Sequence, residues 1–262
     1  MSKQPIGFFD SGVGGTSIWK EVIHLLPHEN SIYLSDSSNA PYGEKSADDI
    51  LKLSVKNTKK LLKLNCKLIV VACNTATTNA IDYLRSNFEV PFIGIEPAIK
   101  PAALSSKSKA IGILATKGTL SSALFARTSS LYASDLNVIE VIGKGLVERI
   151  ENGLINTPET RELLQSYLEP MISAKIDYLV LGCSHYPYLI PILREMLPDG
   201  VQIIDSGRAV AVQTQKILEL NSLISISEER GNHKLYTNAS VEILTNIIKD
   251  VEINKKVEFL DF

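Results

Sequence analysis

The chain is poor in the residues that would open many functional classes. It has three cysteines, Cys66, Cys73 and Cys183, three methionines and one tryptophan in 262 residues. So odd and sparse a cysteine set makes no disulfide framework, and a reducing compartment would keep the thiols free. There is no CxxC pair, and the four histidines, His24, His28, His185 and His233, lie apart from the cysteines except at Cys183. A zinc site has little to build on, and no metal is expected. Neither sign of charge dominates: 27 Lys and Arg face 29 Asp and Glu, for a net charge of −2. That balance argues for neither nucleic acid nor an anionic membrane as partner. No apolar run approaches the roughly 20 residues that cross a bilayer. The opening MSKQPIGFFDSG lacks the apolar core of a signal peptide, so a cytoplasmic protein is expected. Neither GxGxxG nor GxxxxGK[ST] occurs, which removes the two commonest nucleotide-phosphate loops.

What is present is alternation. Short β-branched runs at Ile6–Phe9, Ser31–Leu34, Leu68–Ala72, Phe92–Ile95, Ala110–Leu114, Asn137–Val141, Tyr178–Leu181 and Gln202–Ile204 read as strands. Several are apolar on both faces, as strands sandwiched between helices must be. Helical stretches separate them. In Thr16–Leu26, Ile18, Val22, Leu25 and Leu26 share a face while Lys20, Glu21 and His24 point away, and Ala47–Leu64 behaves similarly. The fold class is therefore α/β with parallel sheets. The length fits one large domain or two compact ones. An internal echo favours two. KLIVVACNTAT (67–77) and KIDYLVLGCSHYP (175–187) each run strand, cysteine, polar turn, helix. IGFFDSGVGG (6–15) and IGILATKGT (111–119) each run strand, small-residue turn, helix.

In open α/β sheets, ligands bind beyond the carboxyl ends of strands, beside helix N-termini. Cys73 and Cys183 both fall there, where a helix dipole would favour a thiolate. Cys66, in the polar turn LNCK, reads as structural. The turn Asp10–Thr16 carries three glycines whose amides could approach a small carboxylate, or whose Asp10 and Ser11 could simply cap the next helix. His185 stands two residues after Cys183, which suits either a nucleophilic Cys–His pair or a thiol acid whose proton the imidazole manages. His24 and His28 flank a helix end, and His233 falls in the polar stretch EERGNHK. All three read as structural. Tyr42 lies in a loop dense in turn residues.

Taken together, FDSGVGG (9–15), SDSSNAPYGEKS (35–46), ACNTAT (72–77), GILATKGT (112–119) and LGCSHYP (181–187) resemble the glutamate racemase family of the aspartate/glutamate racemase superfamily. The resemblance covers nearly the whole chain. It implies two similar parallel-sheet α/β domains related by pseudo-twofold symmetry, residues 1–97 with 207–262 and residues 98–206, with the active site in the cleft between them. It also implies Cys73 and Cys183 as opposed catalytic thiols, helped by Asp10 and His185. Ser11, Pro41, Tyr42, Gly43, Asn74, Thr75, Thr116 and Ser184 would be substrate contacts, with Glu151 an auxiliary acid. No cofactor is implied, and pyridoxal phosphate in particular is not. Glutamate as substrate, a homodimer, a bacterial cytoplasm and supply of D-glutamate for peptidoglycan follow from the same resemblance. There are departures: the family usually reads GCTHYP where this chain has Ser184, and the stretch IGKGLVERIENG differs from a more apolar family run.

Racemisation removes a proton from one face of the α-carbon and returns one to the other, so two groups on opposite sides are expected, unbridged by a disulfide. The residues alone leave three alternatives standing: a racemase for aspartate or another small amino acid, a Cys–His thiol hydrolase, and an amino-acid-binding module.

Overall fold

The computed structural model describes residues 3–262, and every sheet in it is parallel. Among the described residues ten strands form, β1 Ile6–Asp10, β2 Ser31–Ser35, β3 Leu68–Val71, β4 Phe92–Gly94, β5 Ala110–Ala115, β6 Asn137–Ile142, β7 Tyr178–Gly182, β8 Gln202–Ile204, β9 His233–Thr237 and β10 Lys255–Phe259. They divide into two sheets. The first has the order β10-β9-β2-β1-β3-β4 and the second β6-β5-β7-β8. Set β1 against β5, β2 against β6, β3 against β7 and β4 against β8, and the second order repeats the last four strands of the first, β2-β1-β3-β4. Each sheet reverses its winding beside its first strand, which is where an open α/β sheet leaves a crevice.

The eight runs read from the sequence are the first eight strands. β9 and β10 are additions, because their patterns hide them. β9, HKLYT, buries every second residue and exposes Lys234, while β10, KKVEF, is an edge strand with no fully buried residue. One expectation is corrected with them. His233 does not lie in a polar loop but opens β9, buried against Trp19 at 5.8 Å between ring centroids. Trp19 Nε1 donates to Ser31 Oγ at 2.9 Å, and Ser31 Oγ meets His233 Nδ1 at 2.8 Å. Burial lowers the imidazole to about 4, so it is neutral. His24 and His28 are exposed, as expected.

Central strands β1, β3, β5 and β7 are almost wholly buried, as helices on both faces require. The helix Thr16–Leu25 follows β1 and turns Ile18, Trp19, Val22 and Ile23 inward. It packs against the helix Gly207–Leu220, in the segment that carries the chain back to the first sheet. Among the described residues no helix is long and apolar enough to cross a membrane.

Candidate active site

Two adjacent strands of each sheet deliver the site. β1 ends in Asp10 and β3 leads into Cys73; β5 leads into Thr116 and β7 into Cys183. Cys73, Cys183, Ser11, Pro41, Tyr42, Gly43, Asn74, Thr75, Thr116, Ser184 and His185, all anticipated from the sequence, line one pocket together with Val147. Asp10 and Glu151 stand immediately behind it, bonded to its wall. The pocket leaves only ≈10 Å³ for the centre of a water molecule, the room of about one water. In this conformation it is narrow.

Both sulfurs are buried and free, but their settings differ. Cys73 caps the helix Asn74–Asn87, its sulfur accepting from Ala76 N at 3.4 Å and facing Ser11 Oγ at 3.8 Å. Burial pushes this thiol well up, and the Asp10 carboxylate pushes it further. The amides of Ala76 and Ser11 pull the other way without prevailing. The helix N-terminus favours the thiolate at Cys73, as expected, but desolvation and a neighbouring anion outweigh it. At Cys183 the premise itself fails. This residue enters a turn and a single 3₁₀ turn, Tyr186–Leu189, before any α-helix begins at Ile190.

Asp10 is fully buried. Its Oδ2 accepts Gly15 N at 2.7 Å and its Oδ1 accepts Ser184 Oγ at 3.2 Å. Burial raises its carboxyl, against the opposing pull of His185. His185 is held on both nitrogens: Nδ1 faces Cys183 Sγ at 3.8 Å and Nε2 meets Glu151 Oε1 at 2.5 Å. Burial alone would lower the imidazole, yet the hydrogen bonds to Cys183 and Glu151 and the charge of Asp10 together lift it well above its ordinary value. That lift favours the imidazolium form. Among the described pocket residues no Lys or Arg occurs, so this is the only cation at the wall.

The glycine turn is arranged otherwise than expected. Val13 N donates to Glu151 Oε1 at 2.6 Å and Gly15 N to Asp10, so two of its amides serve the protein's own carboxylates. It also packs tightly against residues that follow the second sheet's strands. A Cβ at Gly12 would fall on the Glu151 carboxylate, and one at Gly14 would lie 2.2 Å from His185 Nδ1. The helix that follows is capped by Gly15 without a side-chain bond, so Asp10 and Ser11 are not its caps.

Across the pocket, Thr75 from the first sheet meets Thr116 from the second at 2.9 Å, and Thr119 completes a hydroxyl triangle 3.0 Å from Thr116. Asn74 Nδ2 is buried without a partner, a donor left for a guest molecule. Tyr42 is anchored from below: its hydroxyl donates to the buried Asp36 at 2.5 Å. Four residues escaped the sequence reading. Val147 had no local signal, since only the tertiary fold brings it to the wall. Asp36, Ser37 and Thr119 sit inside motifs that had been recognised, and Ser37 Oγ donates to Glu151 Oε2 at 2.7 Å. Their hydroxyl or carboxylate character was the available clue.

A sequence profile of the family described as Asp/Glu/hydantoin racemase matches residues 16–214. A glutamate racemase from Ectopseudomonas mendocina is 48% identical over 226 residues, 86% of each chain. Another, from Herpetosiphon aurantiacus, is 42% identical over 97% of this chain and 100% of its own. The crystal structure of Escherichia coli glutamate racemase in complex with L-glutamate and the activator UDP-MurNAc-Ala superposes with a TM-score of 0.86 at 32% identity, covering 98% of both chains.

Proposed function

The chain belongs to the Asp/Glu/hydantoin racemase family, and we propose that it interconverts L- and D-glutamate by proton transfer to and from two opposed thiols, without a bound cofactor. The observation that carries this reading is the delivery of Cys73 and Cys183 from equivalent strand ends of two similarly ordered sheets into one narrow pocket. One thiolate takes the α-proton while the opposite thiol donates to the other face, and the roles reverse for the other enantiomer.

Because the α-proton is weakly acidic, the developing negative charge needs positioned donors. Asn74 Nδ2 and the hydroxyls of Ser11, Thr75 and Thr116 are placed for this and for the substrate carboxylates, with Pro41, Tyr42 and Gly43 forming the wall. Asp10 acts on Cys73, and His185 acts on Cys183. Ser184 bonds the Asp10 carboxylate from the opposite sheet, so the two helpers are parts of one network. Glu151 keeps His185 charged and oriented. The narrow pocket holds little water, which strengthens the electrostatic contacts inside.

The same reading takes residues 1–97 with 207–262 as one domain and 98–206 as the other, a homodimer as the assembly, the bacterial cytoplasm as the location and peptidoglycan as the destination of the D-glutamate. The test is circular dichroism of L-glutamate, and separately D-glutamate, with purified protein, reductant and no added cofactor. Both signals decay to zero if the reading holds. Decay with L-aspartate alone corrects the substrate, and no change with either removes the racemase.

A further inference from the structure

One contact between the two sheets lies outside the pocket yet bears on it. A hydroxyl has a single proton, and Thr16 uses its own on Val13 O at 2.6 Å. The 2.5 Å contact between Thr16 Oγ1 and Tyr188 Oη therefore has the phenol as donor. Tyr188 belongs to the turn that carries Cys183, and two successive backbone bonds make that turn stiff: Tyr186 N to Cys183 O at 3.1 Å and Tyr188 N to His185 O at 3.2 Å. Beside it, Ser17 Oγ donates to Ser184 O at 2.8 Å. Lys20 caps the tyrosine ring, its Nζ 5.1 Å from the centroid, while bonding Asp250 at 2.8 Å and Ile247 O at 3.0 Å. The Cys183 turn is thus buttoned to the helix that follows the Asp10 turn.

We propose that Tyr188 is a positioning residue: by donating to Thr16 across the junction of the sheets, it fixes the Cys183 sulfur relative to His185 and to the half of the pocket that holds Cys73. The catalytic consequence rests on the two-thiol reading; the geometric one does not. Without the phenol hydroxyl, the side-chain bond from Ser17 to Ser184 O must hold the turn to the helix, and the turn shifts. A displacement well under 1 Å is enough to slow a proton transfer about tenfold.

The experiment uses the full chain. Iodoacetamide alkylation of Cys73 and Cys183 at pH 8 is followed by mass spectrometry in the parent protein and in Tyr188→Phe, which keeps the ring and its Lys20 contact. Since both sulfurs share one pocket, the ratio of their rates cancels changes in access. The Cys183:Cys73 ratio is expected to fall about fivefold as the sulfur leaves His185, and kcat about tenfold with KM within twofold. Thr16→Val should lower the ratio to the same extent, and the double variant should add nothing further, as for two ends of one interaction. A ratio that is unchanged or rises, a parallel loss at both thiols, or an additive double variant would overturn the proposal. If Cys183→Ala still racemises, the two-thiol reading fails, while the alkylation ratio still judges Tyr188.

Discussion

The halves of the pocket built around Cys73 and Cys183 occupy the same place in two copies of one strand order, yet they solve the problem of holding a thiol differently. Cys73 begins a regular helix of fourteen residues and has a buried carboxylate, Asp10, as its charged neighbour. Cys183 begins an irregular turn and has a buried imidazolium, His185, as its neighbour. Topology places the two sulfurs; it does not set their electrostatics. Those come from the residue at the end of the adjoining strand in one half and from the residue two places after the cysteine in the other. The halves are also not independent, because Ser184 bonds Asp10 and His185 lies 3.9 Å from it.

The sharpest way to break the comparison is to remove each sulfur. Cys73→Ala and Cys183→Ala should each lower racemisation in both directions by more than about 10³-fold, since either thiol is needed once per turnover. Measurable racemisation by one of them, read by circular dichroism, would make the halves unequal in kind. Next come the neighbours. Asp10→Asn and His185→Gln should each cost on the order of 10²-fold in kcat, but with opposite signatures in alkylation. Loss of the Asp10 charge should speed labelling of Cys73, and loss of the His185 charge should slow labelling of Cys183.

A smaller effect tests the imidazolium. His185 is raised in the folded protein above its ordinary value of 6.5. Its stabilising contribution is therefore complete below that range and is lost as pH rises through the raised value. Glu151→Gln removes one of the anions that raise it, so the alkaline fall of both kcat/KM and thermal stability should begin at lower pH, with kcat reduced roughly tenfold. An unmoved alkaline limb would show that His185 does not depend on Glu151. Last, Ser184→Thr keeps the hydroxyl that meets Asp10, and kcat should stay within about threefold. A larger loss would mean that the narrow pocket has no room for a methyl group.

Most of this was legible in the sequence because the strands that build the site are the central ones. Apolar on both faces, runs such as LIVV and YLVLG announce themselves, and the turns after them hold the two pocket cysteines. β10 was not legible, since an edge strand such as KKVEF satisfies its charges in solvent and looks like a loop. β9 was masked differently: the polar sequence around His233 gave no hint that Trp19 and Ser31, two hundred residues earlier, would bury it. In the site, residue identity announced which groups matter but not their ionisation. The elevated thiol of Cys73 follows from the depth of the pocket and the proximity of Asp10, and neither is written in ACNTAT. Glu151 was visible as an acid of uncertain purpose. Its grip on His185, Val13 and Ser37 appears only once the second sheet is folded against the first.

The unequal neighbours of the two sulfurs have a consequence for what such a catalyst can choose. Mirror-image amino acids have the same energy in water, so at equilibrium they stand in equal amounts whatever the protein does. The anion beside one sulfur and the cation beside the other cannot tilt that ratio. They can only make one direction quicker at saturation, and any such gain must be matched by a proportionally higher KM in that direction. An asymmetric pocket of this kind acts as a dial on how traffic responds to concentration, leaving its final destination untouched.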